Sequence, residues 1–142
     1  MTLKANLENT TIQYFDSPRI ESYTQLIEAL DYVPQKSQRE LLYCKSCWQA
    51  IATEKDIIQV NNSHDHNVCN PDGLWFHIGC FRLALGCHLV GKPSQHHTWF
   101  PSFNWQHSLC SYCHNHLGWY FEAPNQDHFF ALILDKISED DD

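Results

Sequence analysis

Two short cysteine pairs, Cys44-x-x-Cys47 and Cys110-x-x-Cys113, set the strongest limit on how this chain folds. The two-residue spacing lets both sulfurs of a pair reach one ion from a single tight turn. Four thiolates form a closed tetrahedral shell, the donor set of a structural zinc, with no position open for a substrate. Residues 48–109 lie between the pairs, so one ion closes a loop of 62 residues and its binding contributes directly to folding. A thioredoxin-like redox site uses one such pair at a helix start. A catalytic zinc needs a His, an Asp or a water in its shell. His114 and His116 flank Cys113, but four cysteines already fill that shell. Cys69, Cys80 and Cys87 bring the total to an odd seven, which suits metal plus free thiols better than a disulfide framework. These three read as small buried apolar residues. His64-x-His66-x-x-Cys69 has the look of a second metal site, but reads more simply as a polar loop with an unrelated cysteine.

A chain of 142 residues, 43% hydrophobic and 18% charged, is long enough for one globular domain with an arm. Half of its net charge of −8 lies in the tail Glu139-Asp140-Asp141-Asp142, which reads as a solvated end. The acidic balance argues against a nucleic-acid partner, which needs a basic footprint. No apolar run approaches the roughly 18 residues of a membrane helix. The first residues lack the apolar stretch of a secretory signal. A cytoplasmic chain with no membrane partner is the expectation.

Residues 1–16 are polar and read as a loose arm. Ser17-Pro18 reads as a helix start, and Ile20, Tyr23, Ile27 and Leu30 follow at helical spacing, which predicts a helix over 18–31 ended by Pro34. The pattern then changes to short strands. Residues 1–40 form the arm, 41–137 the metal-bearing body and 138–142 the acidic tail. Asp56–Val60 is β-rich. Asn61–His66 and Asn70-Pro71-Asp72-Gly73 are loop and turn signals. Leu74, Phe76 and Ile78 alternate with Trp75, His77 and Gly79 as in a half-buried strand. Arg82–Val90 fits either period. Leu117–Glu122 is strand-like and puts Trp119 and Phe121 on one face. Residues 124–127 make a turn before the buried closing element Phe129–Leu134. The body reads as mainly antiparallel β.

Eight of the nineteen aromatic residues fall within residues 99–121. Taken alone, Trp99, Trp105 and Trp119 are more readily core than cage. Pro101, Ser102 and Asn104 bend the segment between Trp99 and Trp105, so it is no plain core strand. His96-His97-Thr98 leads into Trp99 with polar groups and free backbone. Flat apolar walls with a few fixed polar groups suit a small ligand. Indole faces pack against a flat or puckered ring, and backbone groups beside Trp99 can pair with the edge of a lactam, imide or pyrimidine-like group.

The motifs Lys92-Pro93-Ser94, His97-Thr98-Trp99-Phe100-Pro101, Trp105, Cys110-x-x-Cys113 and His116-Leu117-Gly118-Trp119-x-Phe121 resemble, in order, the thalidomide-binding (CULT) domain family of cereblon. The resemblance runs from about Leu42 to Ile137. It implies a β-tent: two antiparallel sheets packed at an angle and pinned by one structural zinc, here with an N-terminal helical arm. It implies that Trp99, Trp105 and Trp119 wall a cyclic-imide pocket with Phe121 at its base, and that the backbone of His97 and Trp99 pairs with the imide edge. Asn70 and Pro71 match the pocket rim, with Asn70 facing the exposed part of a larger ligand. Family ligands are glutarimides such as thalidomide, C-terminal cyclic imides on damaged proteins, and uridine-like molecules. Two departures touch the outer surface. Asp72 stands where the vertebrate protein has a histidine, and Thr98 replaces a serine. The Lon-like domain that docks cereblon to its ubiquitin-ligase adaptor does not fit in 43 residues. A stand-alone, bacterial type of member without that adaptor is the expectation.

The expected function is therefore a zinc-stabilised binding module rather than an enzyme. One alternative is a methionine-sulfoxide-reductase-B-like enzyme, which resembles the same fold and would need Cys69, Cys80 or Cys87 as its nucleophile. Another is an interaction module for modified peptide ends.

Overall fold

The computed structural model describes residues 10–14 and 40–139. The expected helix over 18–31 lies outside them. Eleven strands run through the described residues: β1 (Ile12–Tyr14), β2 (Leu41–Cys44), β3 (Ala50–Thr53), β4 (Ile58–Val60), β5 (Asp65–Cys69), β6 (Trp75–Phe81), β7 (Cys87–Ser94), β8 (Asn104–Cys110), β9 (His116–Glu122), β10 (His128–Ile133) and β11 (Ile137–Ser138). Every pairing is antiparallel. A six-stranded sheet has the order β5-β6-β10-β9-β8-β7, a three-stranded sheet the order β11-β2-β3, and β1 pairs with β4 in a small ribbon. The mainly β reading holds, with a ribbon added to the two expected sheets. Among the described residues no helix is long and apolar enough to cross a membrane.

The run Phe129–Ile133 is apolar at every position because β10 is buried on both faces. Phe129, Ala131 and Ile133 belong to one core cluster, with Ile58, Ile78, Phe100 and Phe121. Phe130 and Leu132 belong to a second, with Leu42, Ile51, Phe81 and Cys110. β10 is thus the shared wall of two cores, one beneath the tryptophans and one beneath the cysteines. On β9 a register shift opposite Ser108 and Leu109 adds one residue. Leu117 thereby joins the cysteine-side core, while Trp119 and Phe121 join the other. Gly118 is required beside it, because a Cβ there would stand 2.0 Å from the Ala131 carbonyl oxygen.

Three local readings differ from the structure. Residues 12–14 are not loose: β1 pairs with β4 in register, and Ile12 is fully buried. The hydroxyl of Thr10 donates to the Pro101 carbonyl at 3.0 Å, so this segment braces the bend that follows Trp99. A polar composition hid one buried isoleucine. Second, the supposed loop through His66 and Cys69 is largely strand β5, paired along its length with β6. The turn proper is shorter, with Asn61 and Asn62 at φ of 52° and 70°, where asparagine is tolerated. Third, the expected half-buried alternation over residues 74–79 is not seen: Leu74 and Trp75 are largely exposed, and Ile78–Phe81 is buried on both faces.

Replacing Ile12 by Ala should remove about 2–5 kcal/mol of stability in urea unfolding of the metal-loaded protein. A loss below about 0.5 kcal/mol would show that the first strand is not part of the core.

Candidate functional site

The four cysteines of the two pairs meet. Their sulfurs lie within 4.8 Å of one another, with Cys44 and Cys113 3.6 Å apart and Cys47 and Cys110 3.5 Å apart. Four sulfurs at about 2.3 Å from one ion are about 3.8 Å apart, so the cluster fits one tetrahedral metal such as zinc. Both knuckles are built alike. The N–H of Cys44 donates to Gln49 and that of Trp48 to the Cys44 carbonyl; the N–H of Cys110 donates to Asn115 and that of His114 to the Cys110 carbonyl. Trp48 and His114 take the same left-handed conformation, at φ of 63° and 66°. The Asn115 amide also donates to the Ser46 hydroxyl, tying one knuckle to the other. Burial raises the Cys44 thiol, and burial with the neighbouring sulfurs pushes Cys47 up to about 12. Four thiols this close ionise together only around a cation.

The centre joins the β2–β3 hairpin to the β8–β9 hairpin, and the second hairpin carries the aromatic site. Trp105 lies on β8, which ends at Cys110, and Trp119 lies on β9, which starts three residues after Cys113. Around them opens a cavity of about 360 Å³. Its walls include Trp99, Trp105, Trp119 and Phe76, with His96, His97, His107 and His116, and with Asn70 and Pro71 at one side.

The indoles are fixed as walls. Trp99 and Trp119 meet at 83° with centroids 4.6 Å apart, which makes a corner. The Trp99 indole N–H donates to the Cys69 carbonyl, and the Trp105 indole N–H to the His96 carbonyl, both at 2.9 Å. With their N–H groups satisfied, these two indoles leave ring faces for a ligand. Phe76 packs on Trp119 with its ring 5.2 Å away. His97 (φ 54°) and Ser102 (φ 78°) turn the loop that carries Trp99. Among the described residues, no hydrogen bond engages the backbone N–H or C=O of His97 or Trp99. These two cavity-lining residues thus carry main-chain groups with no partner among the described residues.

Two of the expected site residues stand behind the wall. Thr98 donates its hydroxyl to the Phe103 carbonyl at 2.8 Å and receives the Phe100 N–H at 3.4 Å, so it locks the loop from within. Phe121 is fully buried, stacked on Phe129 at 5.2 Å and 6.4 Å from Trp99, and supports the corner from below. Asn70 reaches the cavity, but its side-chain oxygen accepts the N–H groups of Asp72 and Leu74 and so builds the rim turn. Phe76, His96, His107 and His116 line the cavity without having been expected there. His107 follows Trp105 by two residues on β8, a period-two signal visible once β8 is known as a strand. Cys69, Cys80 and Cys87 do not line it. Burial pushes the Cys87 thiol up to about 12 and raises Cys80 further, the reverse of an activated nucleophile.

No protein-family model matches the chain. It is similar to protein cereblon of Gallus gallus, 31% identical over an alignment of 116 residues that covers 71% of this chain and 25% of that protein. It is 32% identical over 88 residues to protein cereblon of Danio rerio (61% of this chain, 20% of that protein) and 32% over 98 residues to that of Drosophila erecta (63% and 16%). The chain thus spans a quarter or less of the length of these curated relatives.

Metal analysis of the protein purified without added metal should find one tightly held ion per chain. Cys110→Ser should lower metal content and abolish the cooperative thermal transition, because ions in such sites contribute on the order of 10 kcal/mol to folding. A Cys110→Ser variant that unfolds like the parent would remove the metal from the account of the fold.

Proposed function

We propose, from the premise that this chain carries a cereblon-like domain, that the domain is a zinc-stabilised receptor whose tryptophan cage binds cyclic imides. The carrying observation is the pair of unengaged main-chain sites at His97 and Trp99 beside an indole corner. An imide edge presents C=O, N–H and C=O in a row. The His97 and Trp99 backbone supplies the complementary acceptor and donors, while Trp99, Trp105 and Trp119 cover the ring's apolar atoms. A cavity of about 360 Å³ takes a six-membered ring with a substituent and lies at the small end of ligand pockets. Glutarimides, peptides ending in a cyclic imide and uridine-like rings share that edge. Asn70 and Pro71 would border whatever extends from the ring.

Zinc is a scaffold in this reading. Four cysteine ligands leave no site for water or substrate, so its chemistry is to hold β2–β3 against β8–β9. The reductase alternative needs a reactive cysteine in the cavity, and none of Cys69, Cys80 and Cys87 lines it. The peptide-end reading uses the same cage and is one form of this proposal. All seven cysteines are unpaired, which suits a reducing compartment such as the cytoplasm. The roles of the whole relatives belong to proteins most of whose length this chain does not match.

Titration with thalidomide should quench tryptophan fluorescence with a Kd of micromolar order, about −8 kcal/mol. Trp99→Ala and Trp119→Ala should each weaken binding at least roughly tenfold. Trp105→Ala, outside the buried core, should do the same without loss of the folded spectrum. Folded variants that bind like the parent would overturn the cage.

A further inference from the structure

The cavity holds more imidazole than an imide edge uses. His96 and His97 reach it from the loop after β7, His107 from β8 and His116 from β9. In a chain of net charge −8, no carboxylate among the described residues lines it. His116 is committed elsewhere. Its Nε2 lies 2.8 Å from the Gly118 carbonyl oxygen and donates to it, and burial holds its pKa below the ordinary histidine value. The other three are exposed, and among the described residues no hydrogen bond engages a ring nitrogen of His96, His97 or His107. His96 and His97 meet edge to face at 4.2 Å, and His107 lies 5.2 Å from Trp105 and 5.0 Å from His116. The free imidazoles therefore border the same opening that the ring enters.

We propose that the ligand of this cavity carries an anionic group, a carboxylate or a phosphate, a few bonds from its cage-bound ring, and that His96, His97 and His107 hold that group. This rests on the reading of the cavity as a ring receptor. Each imidazole offers at least one N–H donor to an anion. Three such rings with no carboxylate in the lining favour a negative group over a neutral or cationic one. The other titratable groups nearby are few. Lys136 directs its ammonium to the His116 carbonyl at 2.8 Å, adding positive charge behind β9. Asp72 sits in the rim turn but does not line the cavity.

Matched ligands separate this inference from the cage itself. 3-Aminoglutarimide acylated with butyrate is neutral, whereas the succinate version carries a carboxylate in place of the terminal methyl. Uridine and uridine 5′-monophosphate form a second pair with a phosphate. At pH 7 the anionic member of at least one pair should bind about tenfold more tightly, the effect of one charge-assisted hydrogen bond. A gain confined to one pair identifies the anion as carboxylate or phosphate. The double variant His96→Ala/His107→Ala should erase most of the gain, read as the ratio of anionic to neutral affinity within each protein. His107→Gln, which keeps a donor, should retain part of the gain. Neutral rings that bind with no gain in either pair, or a gain that survives the double variant, overturn the histidine assignment and leave the cage standing. Failure of every ring to bind overturns both.

Discussion

Four sulfur atoms within 4.8 Å of one another form a site that could hold one metal ion, and the two hairpins that carry them meet there. Cys44 and Cys47 hold the end of one hairpin, Cys110 and Cys113 the turn of another, and one ion bound by all four would make them a single rigid corner. Loop closure over 62 residues is costly for a chain held by short strands alone, so the metal replaces part of a core that a small β domain lacks. The chain's C-terminal part closes on the same corner. Ile137 of β11 pairs with Cys44, and the Lys45 N–H donates to the Lys136 carbonyl.

The cysteine corner carries the cavity. Trp105 and Trp119 sit on the two strands that leave the second knuckle, five and six residues from Cys110 and Cys113. Trp99 comes from a bent loop and needs its own supports. Thr98 bonds the loop to itself, the Cys69 carbonyl takes the indole N–H, and Thr10 reaches the Pro101 carbonyl from the first strand. A flat ligand gains from walls whose orientation is set before it arrives, because little ordering remains to be done on binding.

Much of this was legible in the sequence. The paired cysteines fixed the metal centre through spacing alone, and the tryptophans declared themselves by clustering around it. The turn at Asn70-Pro71-Asp72-Gly73 and the buried run Phe129–Leu134 were local signals that tertiary contacts did not override. Other parts were hidden for physical reasons. Ile12 is one apolar residue in a polar stretch, and its burial depends on pairing with Val60 about fifty residues away. His66 and Cys69 lie on a strand whose polar composition resembles a loop, because ladder hydrogen bonds to β6 hold it there rather than apolar packing alone. Phe121 was expected at the base of the cavity and lies fully buried on the same face of its strand as Trp119, while Thr98 is turned into its own loop. The histidines were visible as letters. Their convergence from a loop and two strands is a three-dimensional fact with no sequence period.

The central claim is that main-chain groups at His97 and Trp99 read an imide edge inside an indole corner. Calorimetric titration of glutarimide against N-methylglutarimide tests it most directly, because the two rings share shape and apolar surface and differ in the one N–H. The account predicts that glutarimide binds and that the N-methyl compound loses at least roughly tenfold in affinity, as an unpaired backbone acceptor replaces a hydrogen bond. Equal affinity for the two would contradict it.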